Sequence, residues 1–191
     1  MNSIIKKLVR DYVYHMTSLE DVKDISKEAE LEFRDALTKS HENALQALSP
    51  KEGQAPPKKV DDIEPVKFDD KSFKKLFRKL AVKCHPDKLN DSYSEREKEF
   101  FSGCYENITL ANETYDWGLL LKVALELEVE VQDLEQSQID NIKENIEKLK
   151  EKIHKYEESM AYKWYSLTDT SAREQYLQSC ANIFIKSLGE G

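Results

Sequence analysis

The sequence predicts an all-α protein, and three observations carry that expectation. Apolar side chains recur at i, i+3 and i+4 through most of the chain instead of alternating as in a half-buried strand. Five glycines and five prolines among 191 residues are too few for the tight turns of an all-β fold. A hydrophobic share of 39% beside a charged share of 35% suits helices with one buried and one solvated face. The expected division is an N-terminal helical region over 1–48, a linker over 49–60, a central helical domain over 61–127 and a helical hairpin over 128–191.

The N-terminal region begins with Ile4, Ile5, Leu8, Val9, Tyr12, Val13 and Met16 on one helical face. Thr17 with Glu20 three residues later has the spacing of a capping box, so a second helix is expected to start at Thr17 or Ser18 and run to about Leu48, the two forming a helical hairpin or one broken helix. Its apolar positions are Val22, Ile25, Ala29, Phe33, Leu37 and Leu45. Ser49–Lys59 then brings three prolines, a glycine and no apolar periodicity, the composition of a linker.

The central domain is built around Lys71–Lys88, which holds seven Lys/Arg side chains and a single acid, Asp87. Phe73, Leu76, Phe77, Leu80, Ala81 and Cys84 form the stripe of an amphipathic helix. Asp69 and Asp70 precede it, where a helix N-terminus favours a cap and negative charge. Pro86 ends it, because the residue before a proline is pushed out of helical geometry. Ser94 and Glu97 cap the next helix, whose buried face carries Phe100, Phe101, Cys104, Tyr105, Ile108, Ala111, Thr114 and Tyr115. A break is expected at Gly118, before the short apolar helix Leu119–Leu127.

Beyond this, Ile139, Ile142, Ile146, Leu149, Ile153, Tyr156 and Met160 are spaced 3,4,3,4,3,4, as in a coiled-coil seam. Turn signals at Thr168–Ser171 lead into a last helix with Tyr176, Leu177, Cys180, Ile183, Phe184 and Leu188. The two together read as a coiled-coil-like antiparallel hairpin, with 139–188 able to support self-association.

Chemistry-bearing residues are sparse. Cys84, Cys104 and Cys180 are an odd, dispersed set at apolar helical positions, which reads as small buried hydrophobes in a reducing compartment. Cys84 beside His85 is not a nucleophile pair by adjacency alone, since such partners normally meet through the fold. His15, His41, His85 and His154 are scattered without metal-ligand spacing, so neither metal nor cofactor is expected. A net charge of −8 argues against a general nucleic-acid binder. No apolar run reaches the ~18–20 residues of a membrane span, and no signal-peptide core follows the basic N-terminus. A cytoplasmic protein with no membrane partner is expected.

Taken together, Phe73–Asn90 (FKKLFRKLAVKCHPDKLN) resembles the second helix and loop of a J-domain, the module of DnaJ-type co-chaperones. The motif is dense: a basic helix with Phe77, Arg78-Lys79-Leu80-Ala81 and Lys83, then His85-Pro86-Asp87-Lys88. Leu110-Ala111-Asn112-Glu113-Thr114-Tyr115 looks like the family's third-helix pattern, with Thr114 in place of the usual alanine. Leu119–Leu125 is similar to the closing helix of short bacterial or phage J-domain-like proteins, in which a heptad-rich helical tail often follows. The resemblance covers about Phe68–Leu127. The family's usual first helix has no counterpart in Val60–Lys67, and no Gly/Phe-rich segment or zinc module is present.

The resemblance implies an antiparallel helical J-domain with the His-Pro-Asp loop between two helices. It implies a non-enzymatic co-chaperone that binds a DnaK-type chaperone ATPase and stimulates its ATP hydrolysis. The residues it assigns to chaperone binding are Lys71, Lys74, Lys75, Arg78, Lys79, Lys83, His85, Pro86, Asp87 and Lys88. The terminal helices would recruit a client or partner. Two rival expectations use the same residues differently: a helical structural or assembly protein, viral or otherwise, without chaperone activity, or a nucleic-acid binder using the lysines on phosphates.

Overall fold

The computed structural model describes residues 3–40, 69–89, 92–131 and 133–189. Among these residues there are seven α-helices, one 3₁₀ turn and no strand. The helices are α1 (Ser3–Ser40), α2 (Lys71–Cys84), α3 (Glu95–Thr114), α4 (Trp117–Glu126), α5 (Gln136–Glu157), α6 (Met160–Ser166) and α7 (Thr170–Gly189), with the 3₁₀ turn at Pro86–Lys88. The all-α class is as expected. None of these helices is long and apolar enough to cross a membrane. The linker expected at 49–60, Val60–Lys67 and the second helix beyond Ser40 lie outside the described residues.

Two compact units emerge, one from Met1–Met16 with Asp61–Leu149 and one from Thr17–Val60 with Lys150–Gly191. This grouping differs from the four consecutive segments expected. Its boundaries fall inside α1 and α5; α1 contributes Ile5, Val9 and Tyr12 to one core and Ala29, Phe33 and Leu37 to the other.

Over Ser3–Ser40 the N-terminal region is one continuous helix, neither a hairpin nor a broken helix. Ile5, Val9, Tyr12, Leu19, Val22, Ser26, Ala29, Phe33 and Leu37 are buried and Met16 is half-buried, so that with Met16 each lies three or four residues after the last. That unbroken stripe, with no proline or glycine within it, outweighs the local capping signal at Thr17 and Glu20.

The first unit packs α2 antiparallel to α3. Phe73, near the start of α2, meets Tyr115 at the end of α3, while His85 meets Tyr105 farther back along α3. Phe73, Leu80, Cys84, Cys104, Ile108, Ala111 and Trp117 form the interior with Leu119–Leu121, Val123 and Ala124 of α4. Ile5, Val9 and Tyr12 of α1 and Ile142 and Ile146 of α5 close this core from sequence-distant places. Ser94 and Glu97 make the expected capping box, the Glu97 N–H donating to Ser94 Oγ at 3.3 Å and the Ser94 N–H to Glu97 Oε2 at 2.8 Å.

The break between α3 and α4 falls before Gly118. Tyr115 adopts a left-handed conformation at φ 52°, and Asp116 caps α4 by accepting from the Leu119 N–H at 3.1 Å. Gly118 lies inside α4 against the Tyr12 ring, where a Cβ would overlap ring atoms.

The second unit is a smaller core of Ala29, Phe33 and Leu37 with Ala161 and Trp164 of α6 and Leu177, Cys180 and Ala181 of α7. The two-helix hairpin expected for the C-terminus is therefore corrected to three helices. Ser159 interrupts the heptad stretch by capping α6, accepting from the Tyr162 N–H at 3.2 Å. The leading heptad residues Ile142 and Ile146 are spent on the first core instead of a hairpin partner.

Candidate docking site

The site begins with Asp70. Its carboxylate caps α2 by accepting from the Phe73 N–H at 3.0 Å. The other oxygen collects the Tyr115 hydroxyl at 2.9 Å, Trp117 Nε1 at 3.2 Å and Gln138 Nε2 at 3.4 Å. Burial opposes the charge, but the hydrogen bonds from Phe73, Tyr115, Trp117 and Gln138 outweigh it and hold the carboxyl below its ordinary pKa. One aspartate thus fixes where α2 starts and which way its basic face turns.

Along α2, Lys71, Lys75, Arg78 and Val82 follow one another at helical spacing and are all exposed. Lys71, Lys75 and Arg78 make no hydrogen bond or ion pair among the described residues, and Val82, 59% exposed, ends this row on the side of the loop. The other cations are engaged. Lys74 pairs with Asp69 at 3.0 Å. Lys79 Nζ donates to the Glu130 carbonyl at 3.3 Å and Lys83 Nζ to the Leu127 carbonyl at 3.0 Å.

The helix ends at Cys84, as Pro86 predicts. Pro86 opens a 3₁₀ turn closed by the Lys88 N–H to His85 carbonyl bond at 2.9 Å and the Leu89 N–H to Pro86 carbonyl bond at 3.0 Å. His85 Nδ1 accepts from the Asp87 N–H at 3.2 Å, and its ring stands edge-on to Tyr105 with centroids 5.2 Å apart. That packing holds the loop to α3. The Asp87 side chain projects outward, 88% exposed, and Pro86 and Lys88 are exposed beside it. Cys84 faces the other way: its buried thiol donates to the Leu80 carbonyl at 3.3 Å, and burial pushes its pKa up. Cys84 and His85 therefore diverge despite their adjacency. All three cysteines are buried and free, and the Cys104 thiol is pushed up to about 11, chiefly by burial.

The segment after α4 escapes a sequence reading. Glu128 takes a left-handed conformation at φ 51°, and the Val129 N–H bonds back to the Ala124 carbonyl at 2.7 Å, the signature of a Schellman helix end. From there residues 127–131, 133 and 134 run antiparallel beside α2. They meet Lys83 first and Lys79 next, then line with Lys75 and Lys71 a cleft of about 290 Å³ floored by Leu76, Trp117, Val131 and Leu134. The alternation Glu128-Val129-Glu130-Val131 is the available signal, a period of two with the valines turned in. Tyr12, Asp116 and Gln138 are likewise structural supports that no local motif reveals.

All ten sequence-assigned residues thus lie on α2 or its terminal loop, divided into a free row, an engaged flank and a projecting loop. No group of His, Cys, Asp and Glu suited to a metal ion occurs among the described residues. Compared with known proteins, the chain matches no protein-family model, no curated protein and no solved structure.

Proposed function

We propose that this chain is a J-domain-like co-chaperone, docking through α2 and its His85-Pro86-Asp87 loop on a DnaK-type ATPase and stimulating ATP hydrolysis there. One observation carries the reading. A basic amphipathic helix ends in a hydrogen-bonded turn that presents Asp87 to solvent while His85 packs on Tyr105 of the antiparallel α3. The row Lys71, Lys75 and Arg78 would attract an acidic surface, accelerating encounter and fixing orientation. Asp87, exposed at the helix end, would pair with a cationic side chain of the ATPase in a charge-assisted bond worth about 1.5–3 kcal/mol.

None of these groups needs to perform chemistry; the chain would shift the conformational balance of a separate enzyme. In this reading the family's usual first helix is replaced as a brace by Ile5, Val9 and Tyr12 of α1 and by Ile142 and Ile146 of α5, which pack under the same core. The second unit is left to choose a client or partner.

Single-turnover ATP hydrolysis by a DnaK-type chaperone, with the intact chain and with Asp87→Asn, tests the proposal. Stimulation by the former and its loss in the latter are expected. Absence of stimulation, or equal stimulation by both, overturns it. Filter binding of nucleic acid across a salt series separates the phosphate-binding alternative, which demands steeply salt-dependent retention.

A further inference from the structure

We propose that the segment 127–135 is an acidic filter laid along the basic helix, which confines docking to one row of cations and sets how acidic a partner must be to dock. The inference rests on the reading that α2 receives an acidic protein surface.

Three independent features support it. The first is length and direction. The 14 residues of α2 span about 21 Å at ~1.5 Å per residue, and six residues from Val129, beyond the turn at Glu128, can reach about 20 Å at ~3.3 Å per residue. The contacts occur in matching order, Leu127 at Lys83, Glu130 at Lys79, Asp133 and Leu134 at the cleft with Lys75 and Lys71, and Gln138 at Asp70. The second is anchoring. Val129 is buried in the core, and two ammonium groups are committed to backbone carbonyls, so the segment is held by the very helix it flanks.

The third is charge. Glu128, Glu130, Asp133 and Glu135 are exposed, with no Lys or Arg among 127–135. Lysines 79 and 83 hold main-chain oxygens instead of these carboxylates, and Glu130 and Asp133 line the same cleft as Lys71 and Lys75. An incoming acidic surface meets attraction from Lys71, Lys75 and Arg78 and repulsion from the segment within about one Debye length, ~8–10 Å. A weakly acidic partner gains little from this edge, and a dense acidic patch aligned with the outer row gains most. The exposed Val82 closes that row with a small apolar end beside the loop, suited to a partner whose acidic patch is flanked on one side by an aliphatic side chain.

The test uses the full chain, fluorescently labelled, against poly-L-glutamate and, separately, against a DnaK-type ATPase, at ~50 mM and ~300 mM salt. The combined substitution Glu128→Gln, Glu130→Gln and Asp133→Asn should tighten binding of both probes roughly three- to tenfold at the lower salt and by less than about twofold at the higher. Lys75→Ala should weaken low-salt binding by at least about threefold, while Lys79→Ala and Lys83→Ala each stay within about twofold. Circular dichroism confirms that each variant keeps its helices. Unchanged or weaker binding by the neutralised segment, or equal losses from all three lysine variants, overturns the filter. The poly-L-glutamate arm decides this even where no ATPase binds, an outcome that would sink the co-chaperone reading alone.

Discussion

The Tyr12 hydroxyl donates to Asp116 Oδ2 at 2.7 Å, joining the third turn of α1 to the residue that caps α4. Burial raises the Asp116 pKa, and the Tyr12 hydroxyl and the Leu119 N–H counter part of that rise. Burial and the neighbouring Asp116 charge in turn push the Tyr12 phenol far above its usual range, so it remains a donor at any ordinary pH. Tyr12→Phe keeps the ring and removes the donor. The expected cost is about 1–3 kcal/mol at neutral pH, measured as a shift in the urea midpoint.

That cost has a definite pH sign. A carboxyl with a raised folded pKa contributes stability that is fully present below its unfolded value of about 3.9 and lost as pH rises through the folded value. Removing the hydroxyl raises the folded value further, so Tyr12→Phe should be closest to wild type in acid and fall away from it as pH rises. A constant difference between the two from pH 4 to 8 contradicts this account.

Asp70 should behave in the opposite sense. The hydrogen bonds from Phe73, Tyr115, Trp117 and Gln138 prevail over burial and depress its pKa. Its contribution is present above the unfolded value of about 3.9 and is lost as pH falls through the folded one. Asp70→Asn turns an amide toward donors that need an acceptor, at an expected cost of roughly 2–4 kcal/mol near pH 7. The urea midpoints of variant and wild type should converge as pH drops toward 3, and parallel curves would show that charge at this position is not the cause.

How far the sequence reaches is decided by whether a signal is local. The start of α2 at Asp70, its end before Pro86 and the Ser94–Glu97 box were all legible, because a cap and a proline act within one helical turn. The end of α3 was not. Tyr115 adopts a left-handed conformation that glycine would adopt more cheaply, and its hydroxyl is held by Asp70, 45 positions away. The heptad spacing in α5 marks an apolar stripe, but that stripe packs into the first core and not into a hairpin seam, since periodicity states which face is buried without naming its neighbour. The basic row was visible as composition, but the commitment of Lys79 and Lys83 depends on a turn at Glu128 that carries no glycine.

Gly118 supplies a third prediction. Alanine improves helix propensity by up to about 1 kcal/mol, but its Cβ would overlap the Tyr12 ring, and overpacking costs about 1–3 kcal/mol. Gly118→Ala should therefore destabilise the chain in a Tyr12 background and become neutral or stabilising in Tyr12→Ala, where the ring is gone. A double-mutant cycle reads this directly as a coupling between the two positions. Additive losses would mean that Gly118 is needed for some reason other than the ring.

The last prediction separates the free row of α2 from fold stability. Arg78 is exposed, lies off the apolar stripe and has no ion pair among the described residues, so Arg78→Glu removes no internal contact. Its effect on the urea midpoint should stay within about 0.5 kcal/mol. If α2 docks on an acidic ATPase surface, the same substitution places a like charge opposite that surface. It should then weaken stimulation at least about tenfold at low salt and less as salt rises, chiefly through slower association. Phe73→Ala makes the converse case: Phe73 is fully buried against Tyr115 and Trp117, so its loss should cost about 3–5 kcal/mol and reduce stimulation only through unfolding. Stopped-flow binding with parallel urea titrations distinguishes the two. Should Arg78→Glu unfold the chain, or bind the ATPase at the wild-type rate, its row is not the docking edge.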